Sequence, residues 1–216
     1  MAIVSTGAAL AVHDLKNELG ALEAALGRLA VRPDGPAAQL AQRQCSELRH
    51  RFVSYLTLYG RAEDLRAHCE DESPLGLLQL VAARHAATAT TARVVVDELR
   101  RAPPCWYFDR RLVGLALDAA LHNALRFARS EVVLAAQLEA GHLVLSVEDD
   151  GPGLDPQAEP DAHATGLGTA LCRAVARCHG TSRPDGGVRL FNREDALGGA
   201  GDGIKGGARF ELWLAT

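Results

Sequence analysis

The chain has 216 residues, of which 48% are hydrophobic and 23% are charged, and its formal net charge is −4. This length allows one large domain or two small ones, and the mixed charges, without a lysine or arginine block, argue against a nucleic-acid-binding protein. No apolar run approaches the ~20 residues of a membrane span, and the first ten residues are too weakly apolar for a signal peptide. We therefore expect a cytoplasmic protein with no membrane span and no nucleic-acid partner.

The first part of the chain has the pattern of two amphipathic helices. Apolar residues recur at alternating spacings of four and three, first at Ala8, Val12, Leu15, Leu19, Leu22, Leu26 and Leu29, and then at Ala41, Cys45, Leu48, Phe52, Tyr55, Tyr59 and Ala62. This spacing predicts two helices that pack along heptad seams, and the prolines in 32–36 separate them. A hairpin leaves its seam half covered, so we expect dimerisation into a four-helix bundle.

After a polar stretch at 61–73, predicted to be a linker, helical and strand patterns follow one another. The predicted elements are a helix at 74–86 capped by Ser73, a strand at 93–97, a helix from the cap Asp109 to about 129, strands at 131–138 and 142–148, a helix near 167–178 closed by Gly180, and strands near 187–192 and 207–214. Helices and antiparallel strands in this order predict an α+β sandwich, with one sheet faced by helices. We expect two domains, 1–68 and 74–216.

Three segments of the second domain carry residues suited to a nucleotide. The first holds Asn123 and Arg126, which lie three positions apart and so share one face of a predicted helix. The amide oxygen of Asn123 is a suitable Mg²⁺ ligand, and the guanidinium of Arg126 suits phosphate oxygens. Because a polar pair on a helix is usually its solvated face, this segment alone predicts little.

The second segment ends a predicted strand at Asp149 and continues into a turn with Gly151 and Gly153. Asp149 shares the parity of the core residues of that strand, Leu143, Leu145 and Val147. Its carboxylate is therefore predicted to be buried, where it needs a hydrogen-bond donor. An adenine amino group supplies one, whereas a guanine carbonyl would repel the carboxylate. The two glycines would let the backbone turn closely around a flat base, although an ordinary turn has the same composition.

The third segment is Thr165-Gly166-Leu167-Gly168, directly before and within the start of a predicted helix. Glycines at a helix N-terminus expose backbone N–H groups to which phosphates bind. A single G-x-G is a weak signal when it stands alone, so the order of the three segments matters more than any one of them.

In that order, the segments resemble the GHKL (Bergerat-fold) ATPases, and within them the catalytic domain of bacterial sensor histidine kinases. Asn123 looks like the N box, Asp149-x-Gly151-x-Gly153 the G1 box, and Thr165–Gly168 the G2 box, while 206–212 is similar to the last strand of the family. The resemblance covers about residues 74–216. It implies an α/β sandwich of Bergerat type that binds ATP and Mg²⁺, with Asn123 as metal ligand.

His13 lies on the first predicted helix, directly after the seam residue Val12, and so should stay partly exposed. A neutral imidazole nitrogen, which a pKa of ~6.5 provides at cellular pH, is required to attack a γ-phosphate. Asp14 is the predicted base, and Asn17 is placed to orient a water for hydrolysis of an acyl phosphate. A lone helical histidine is ordinarily a solvated or packing residue. The segment, however, resembles the H box of the dimerisation and phosphotransfer (DHp) domain.

The resemblance implies a homodimeric histidine autokinase of a two-component system. It would pass the γ-phosphate of ATP to His13 and then to an aspartate on a response-regulator receiver domain, with phosphatase activity left open. Only twelve residues precede His13, so we expect a separate sensory or regulatory protein. Two alternatives remain: a histidine phosphotransfer adaptor with a degenerate ATP-binding domain, and a serine kinase resembling anti-sigma factors.

The sequence departs from the family pattern at several positions. Glu18 stands where the family usually has a proline, Ala119 where it has a second N-box asparagine, and Arg126 where it has a lysine. No phenylalanine-bearing F box lies between Leu154 and Thr165. We therefore expect an unkinked first helix and a nucleotide that is weakly held or rapidly exchanged.

Overall fold

The computed structural model describes residues 65–86, 92–154, 167–193 and 206–215, together with seven helical residues, Gly20, Leu22, Ala41, Cys45, Leu48, Phe52 and Val53. The chain divides into two compact units, Met1–Asp64 and Leu65–Thr216. Apart from the seven helical positions, the predicted hairpin lies outside the described residues, and its dimerisation stays a prediction. Within the described ranges, no helix has the length and apolar character required to cross a membrane.

The described residues of the second unit form three helices and seven strands. In chain order they are β1 (Glu70–Glu72), α1 (Pro74–Ala86), β2 (Arg93–Val96), β3 (Trp106–Phe108), α2 (Arg110–Phe127), β4 (Glu131–Glu139), β5 (His142–Asp149), α3 (Leu167–Cys178), β6 (Val188–Asn192) and β7 (Ala208–Leu214). The three helices and the strands from β4 onward lie where the sequence predicts them, to within one or two residues. The α/β sandwich is therefore confirmed.

The main sheet has five strands in the order β2-β4-β5-β7-β6. Three of its pairs are antiparallel, but β2 runs parallel to β4, with Arg93 opposite Glu131. The prediction of antiparallel strands alone is wrong at this pair, and the sheet is mixed. The reason is topological, because a long connection that contains α2 separates β2 from β4 and permits the parallel arrangement. A second sheet, formed by β1 and β3, was not predicted.

The helix α2 lies at the centre of the helical layer and packs against α1, α3 and the strands β4 and β5. It begins at Asp109, whose side-chain Oδ1 accepts a hydrogen bond from the backbone N–H of Leu112 at 2.9 Å. Its buried face consists of apolar and small residues: Leu112, Val113, Gly114, Ala116, Leu117, Ala120, Leu121 and Ala124. This stripe, at helical spacing, is what fixes α2 against the sheet and so positions the remaining, exposed face.

The strand β5 is the central strand and is buried from Leu143 to Asp149 on both of its faces. One face carries Ser146 and Glu148, and the guanidinium of Arg100, from the connection after β2, contacts both of them. Burial along β5 therefore does not alternate, although side-chain direction does. Asp149 is the last residue of this strand and is 5% exposed.

Candidate nucleotide-binding site

The carboxylate of Asp149 is buried at the end of β5, as the sequence predicts. Its Oδ1 accepts two backbone hydrogen bonds, one from the N–H of Gly151 at 2.8 Å and one from the N–H of Ala208 at 3.2 Å. These bonds come from the following turn and from the start of β7, so they fix the carboxylate relative to two separate parts of the fold. They also offset part of the cost of removing this carboxylate from water, for which the sequence pattern predicted an adenine donor.

The glycines after Asp149 are required by the packing of the protein itself. A Cβ on Gly151 would lie 2.5 Å from the carbonyl oxygen of Phe127 at the end of α2, and 2.8 Å from Oδ1 of Asp149. Gly153 has a φ of 86°, and a Cβ there would lie 2.7 Å from Oδ1 of Asn192. The sequence pattern predicts that these glycines make room for a flat base. The structure shows that each of them also allows a close approach between segments of the protein chain itself.

Gly207, immediately before β7, is packed still more tightly. It has a φ of 104°, and a Cβ on it would lie 2.1 Å from the carbonyl oxygen of Asp149. The neighbouring Gly206 approaches the carbonyl oxygen of Gly151 in the same way, with 2.8 Å to a Cβ. The chain before β7 therefore lies directly against the turn that follows β5, and these contacts are possible only with glycine.

Asn123 and Arg126 are both exposed on α2, on the face that the sequence predicts. The guanidinium of Arg126 lies 5.4 Å from the ring centroid of Phe127. One turn before Asn123, Ala119 approaches the start of α3, since a Cβ on Gly168 would lie 3.8 Å from the Cβ of Ala119. The helix α2 thus connects the two regions, because its C-terminus contacts the turn at Gly151 and its middle adjoins the N-terminus of α3.

Several of the predicted site residues fall outside the described part of the chain. Leu167 is the first residue of α3, but Thr165 and Gly166 precede the described range, as do His13, Asp14 and Asn17 in the first unit. Their roles stay predictions. The residues that the structure does bring together are Asp149 and Gly151 with the C-terminus of α2, Gly153 with Asn192, and Gly168 with Ala119.

Asp150 is a site residue that the sequence analysis missed. Its carboxylate accepts hydrogen bonds from the backbone N–H groups of Arg129 and Ser130, at 2.8 and 3.0 Å, and from the hydroxyl of Ser130 at 2.5 Å. Desolvation raises the pKa of Asp150, but these hydrogen bonds outweigh it and hold that pKa well below its ordinary value. Asp150 therefore ties the connection after α2 to the end of β5, next to Asp149.

A second missed feature is a cluster of charges behind Asp149. The buried carboxylate of Glu148 forms ion pairs with Arg100 at 2.7 Å, with Arg209 at 3.2 Å and with Arg193 at 3.5 Å. Arg193 also donates from Nη1 to the carbonyl oxygen of Asp149 at 3.2 Å. These arginines are far apart in sequence, so no local pattern points to the cluster. It holds the end of β5 from the side opposite to the carboxylate of Asp149.

Comparison with known proteins agrees with this geometry. A sequence model of the family described as histidine kinase-, DNA gyrase B-, and HSP90-like ATPase matches residues 108–216. The chain belongs to this ATPase family. The resemblance to the catalytic core of sensor histidine kinases is thereby confirmed, and the matched residues include α2, Asp149 and β7.

Individual relatives of this ATPase family are similar to parts of the chain. Sensor protein KdpD of Escherichia coli (strain K12) is 34% identical over 108 residues, which are 43% of this chain and 11% of that protein. The probable sensor histidine kinase HK of Mycobacterium tuberculosis (strain CDC 1551 / Oshkosh) is 28% identical over 188 residues, 76% of this chain and 49% of that protein. The chain thus spans at most about half the length of these two relatives.

A solved structure shows the same fold. The crystal structure of full-length ShkA in complex with AMPPNP superposes with a TM-score of 0.58 at 18% identity, and covers 96% of this chain and 46% of that one. At this identity the likeness shows the fold alone.

Proposed function

We propose that the protein is a histidine autokinase of a two-component system, which binds ATP in its second unit and phosphorylates His13. The observation that carries this proposal is the buried carboxylate of Asp149, whose Oδ1 is held by the N–H groups of Gly151 and Ala208. With Oδ1 so fixed, Oδ2 is a rigid acceptor for the amino group of adenine. Membership of the ATPase family supports the same assignment.

Other described residues of the second unit suit a nucleotide and a divalent cation. Asn123 is an exposed amide on α2, a neutral oxygen ligand of the kind that Mg²⁺ accepts, and Arg126 on the same face supplies a cation for phosphate oxygens. Gly168, near the N-terminus of α3, leaves room for phosphates to approach backbone N–H groups. Mg²⁺, when bound, would neutralise charge on the phosphates during transfer.

In this proposal the first unit supplies the acceptor of the phosphoryl group. The neutral imidazole of His13 attacks the γ-phosphorus, the bond to the leaving ADP oxygen breaks, and Asp14 takes the proton from the other ring nitrogen. The phosphoryl group then passes to an aspartate on a response-regulator receiver domain. We propose that the kinase acts as a homodimer under a separate sensory protein, and that Asn17 supports hydrolysis of the phosphorylated partner. The relatives that bear the name sensor histidine kinase support this reading.

A labelling experiment tests the proposal. The protein is incubated with Mg²⁺ and ATP labelled at the γ-phosphate, and the label on the protein is tested for lability in acid and stability in alkali. We expect His13→Ala to abolish labelling because it removes the acceptor, and Asn123→Ala to abolish it because it removes the metal ligand. His142→Ala, at the far end of β5 from Asp149, is the control and should label normally.

Two results would change the assignment. Labelling that persists in His13→Ala would move the acceptor elsewhere, and a label that is stable in acid would favour a serine kinase.

A phosphotransfer adaptor is a second candidate, favoured by Ala119, which places a methyl group beside Gly168 where the family has an amide. The adaptor would accept phosphate on His13 from a partner and show no nucleotide binding by calorimetry.

A further inference from the structure

Asn192, at the end of β6, is aligned with Asp149 across the sheet. It is the register partner of Ala208 on β7, and the backbone N–H of Ala208 is one of the two donors to Oδ1 of Asp149. A line across three strands thus joins Asn192, Ala208 and Asp149. Among the described strands, β6 lies at the edge of the main sheet beside β7. From there the side chain of Asn192 contacts Leu154, at the end of the turn that follows β5.

The side-chain amide of Asn192 binds both backbone groups of Leu154. Its Oδ1 accepts from the N–H of Leu154 at 2.6 Å, and its Nδ2 donates to the carbonyl oxygen of Leu154 at 3.3 Å. An amide that bonds both groups of one residue imitates the pairing of a neighbouring strand. The packing is close on the preceding side too, because a Cβ on Gly153 would lie 2.7 Å from the same Oδ1.

We propose that Asn192 is a positioning residue for nucleotide binding: by holding the backbone of Leu154 it fixes the exit of the turn 149–154, which carries Asp149. This inference rests on the proposed binding of ATP. The entrance of the turn is fixed by β5 and by Arg193, which donates to the carbonyl oxygen of Asp149. Asn192 supplies the corresponding attachment at the exit.

The consequence for a ligand is one of preorganisation. Gly153, with its φ of 86°, and Gly151 give the turn more backbone freedom than other residues would. Without Asn192, the N–H and carbonyl groups of Leu154 lose their protein partner, and the turn must be ordered when the nucleotide binds. The free-energy cost of that ordering makes the binding free energy less favourable, and most of the lost affinity should appear as faster dissociation of the nucleotide.

The test uses two variants of Asn192 and one control. Asn192→Ala removes both hydrogen bonds, while Asn192→Asp keeps the size and the acceptor but places a carboxylate oxygen against the carbonyl oxygen of Leu154. Gln137→Ala removes an amide from β4, near the opposite end of the sheet, and is the control. For each protein we would measure the affinity and dissociation rate of a non-hydrolysable ATP analogue with Mg²⁺, the melting temperature, and hydrogen exchange of the Leu154 amide.

We expect Asn192→Ala to weaken binding about tenfold, as the loss of one to two neutral hydrogen bonds would. Asn192→Asp should weaken it to a similar extent, because oxygen–oxygen repulsion at the carbonyl of Leu154 offsets the acceptor that it retains. The hydrogen of the Leu154 amide should exchange faster in Asn192→Ala. In self-labelling, the KM for ATP should rise while the rate at saturating ATP stays unchanged. Gln137→Ala should bind within twofold of the wild type. A purely structural role would instead lower the melting temperature and leave affinity of the folded protein intact.

Binding by folded Asn192→Ala within twofold of the wild type would overturn the proposal, as would unchanged exchange of the Leu154 amide. If Asn192→Ala does not fold, Asn192→Asp decides by the same measurements. Failure of the wild-type protein to bind any nucleotide would be a failure of the proposed function and is seen separately. Exchange at Leu154 would still show whether Asn192 holds the turn.

Discussion

At the scale of single residues, the glycines of the site divide into two kinds. A Cβ on Gly151 would lie 2.5 Å from a backbone oxygen, so this glycine is required by the fold. Among the residues that the structure describes, a Cβ on Gly168 would meet only the Cβ of Ala119, at an ordinary distance of 3.8 Å. Packing among the described residues therefore does not require glycine at position 168, and under the proposed function this glycine allows phosphates to approach the start of α3.

This division predicts opposite outcomes for two similar substitutions. Gly168→Ala should fold with an unchanged or slightly higher melting temperature, because alanine favours the helix by up to about 1 kcal/mol, and should bind ATP several-fold more weakly. Gly151→Ala should lose about 2 kcal/mol or more of unfolding free energy. Thermal denaturation and calorimetric titration measure both quantities. Unaltered ATP affinity in Gly168→Ala would mean that phosphates do not approach this glycine.

Sequence reasoning reached some residues of the site and not others, for a physical reason. The burial of Asp149 follows from the parity of its own strand, and its donor Gly151 is two positions away. Asn192 acts on Leu154 over 38 positions, and Arg100 reaches Glu148 across another connection of the chain. Such partners are set by strand order, and strand order is not contained in a local pattern.

At the scale of elements, the helices were predictable because their ends carry local signals. Ser73 caps α1 by accepting from the N–H of Gly76, Asp109 caps α2, and Gly180 ends α3 with a φ of 76°. The strands β1 and β3 have only three residues each, too few for a periodic pattern. The parallel pairing of β2 with β4 is likewise a choice between distant segments, which the composition of β2 does not reveal.

One pair of elements is joined by a buried histidine that the sequence analysis left without a role. His179, just after α3, accepts at Nε2 from the backbone N–H of Asp109 at 2.9 Å and contacts the carbonyl oxygen of Val175 through Nδ1 at 2.7 Å. This arrangement requires the neutral ring. Desolvation lowers the pKa of His179, although the bond to Val175 and the charge of Asp109 oppose it.

The lowered pKa predicts a dependence of stability on pH. Below the ordinary histidine pKa of ~6.5, the unfolded state binds a proton that folded His179 does not. The free energy of unfolding should therefore decrease as the pH is lowered, by at most about 1.4 kcal/mol per pH unit. His179→Gln keeps a neutral acceptor and donor and should show a shallower fall between pH 6.5 and pH 5. Urea unfolding at several pH values measures this. Equal slopes in both proteins would show that His179 is not the group responsible.

At the scale of the whole molecule, the proposed activity is divided between two units. The second unit, Leu65–Thr216, contains the described residues proposed to hold ATP, whereas His13 belongs to the first unit, Met1–Asp64. The proposed reaction therefore requires both units. Labelling should be abolished by loss of ATP binding in the second unit and equally by loss of the acceptor His13 in the first. Nucleotide binding is a property of the second unit that can be measured independently of His13.

The most direct measurement is therefore the affinity of the intact protein for Mg²⁺–ATP and Mg²⁺–GTP, with Asp149→Asn alongside. The asparagine oxygen can still accept from Gly151 and Ala208, so the variant should fold, but its NH₂ group would face the amino group of adenine. We predict that the wild type prefers ATP at least about tenfold and that Asp149→Asn loses this preference. Equal affinity of the wild type for both nucleotides, or an unchanged preference in Asp149→Asn, would contradict the account.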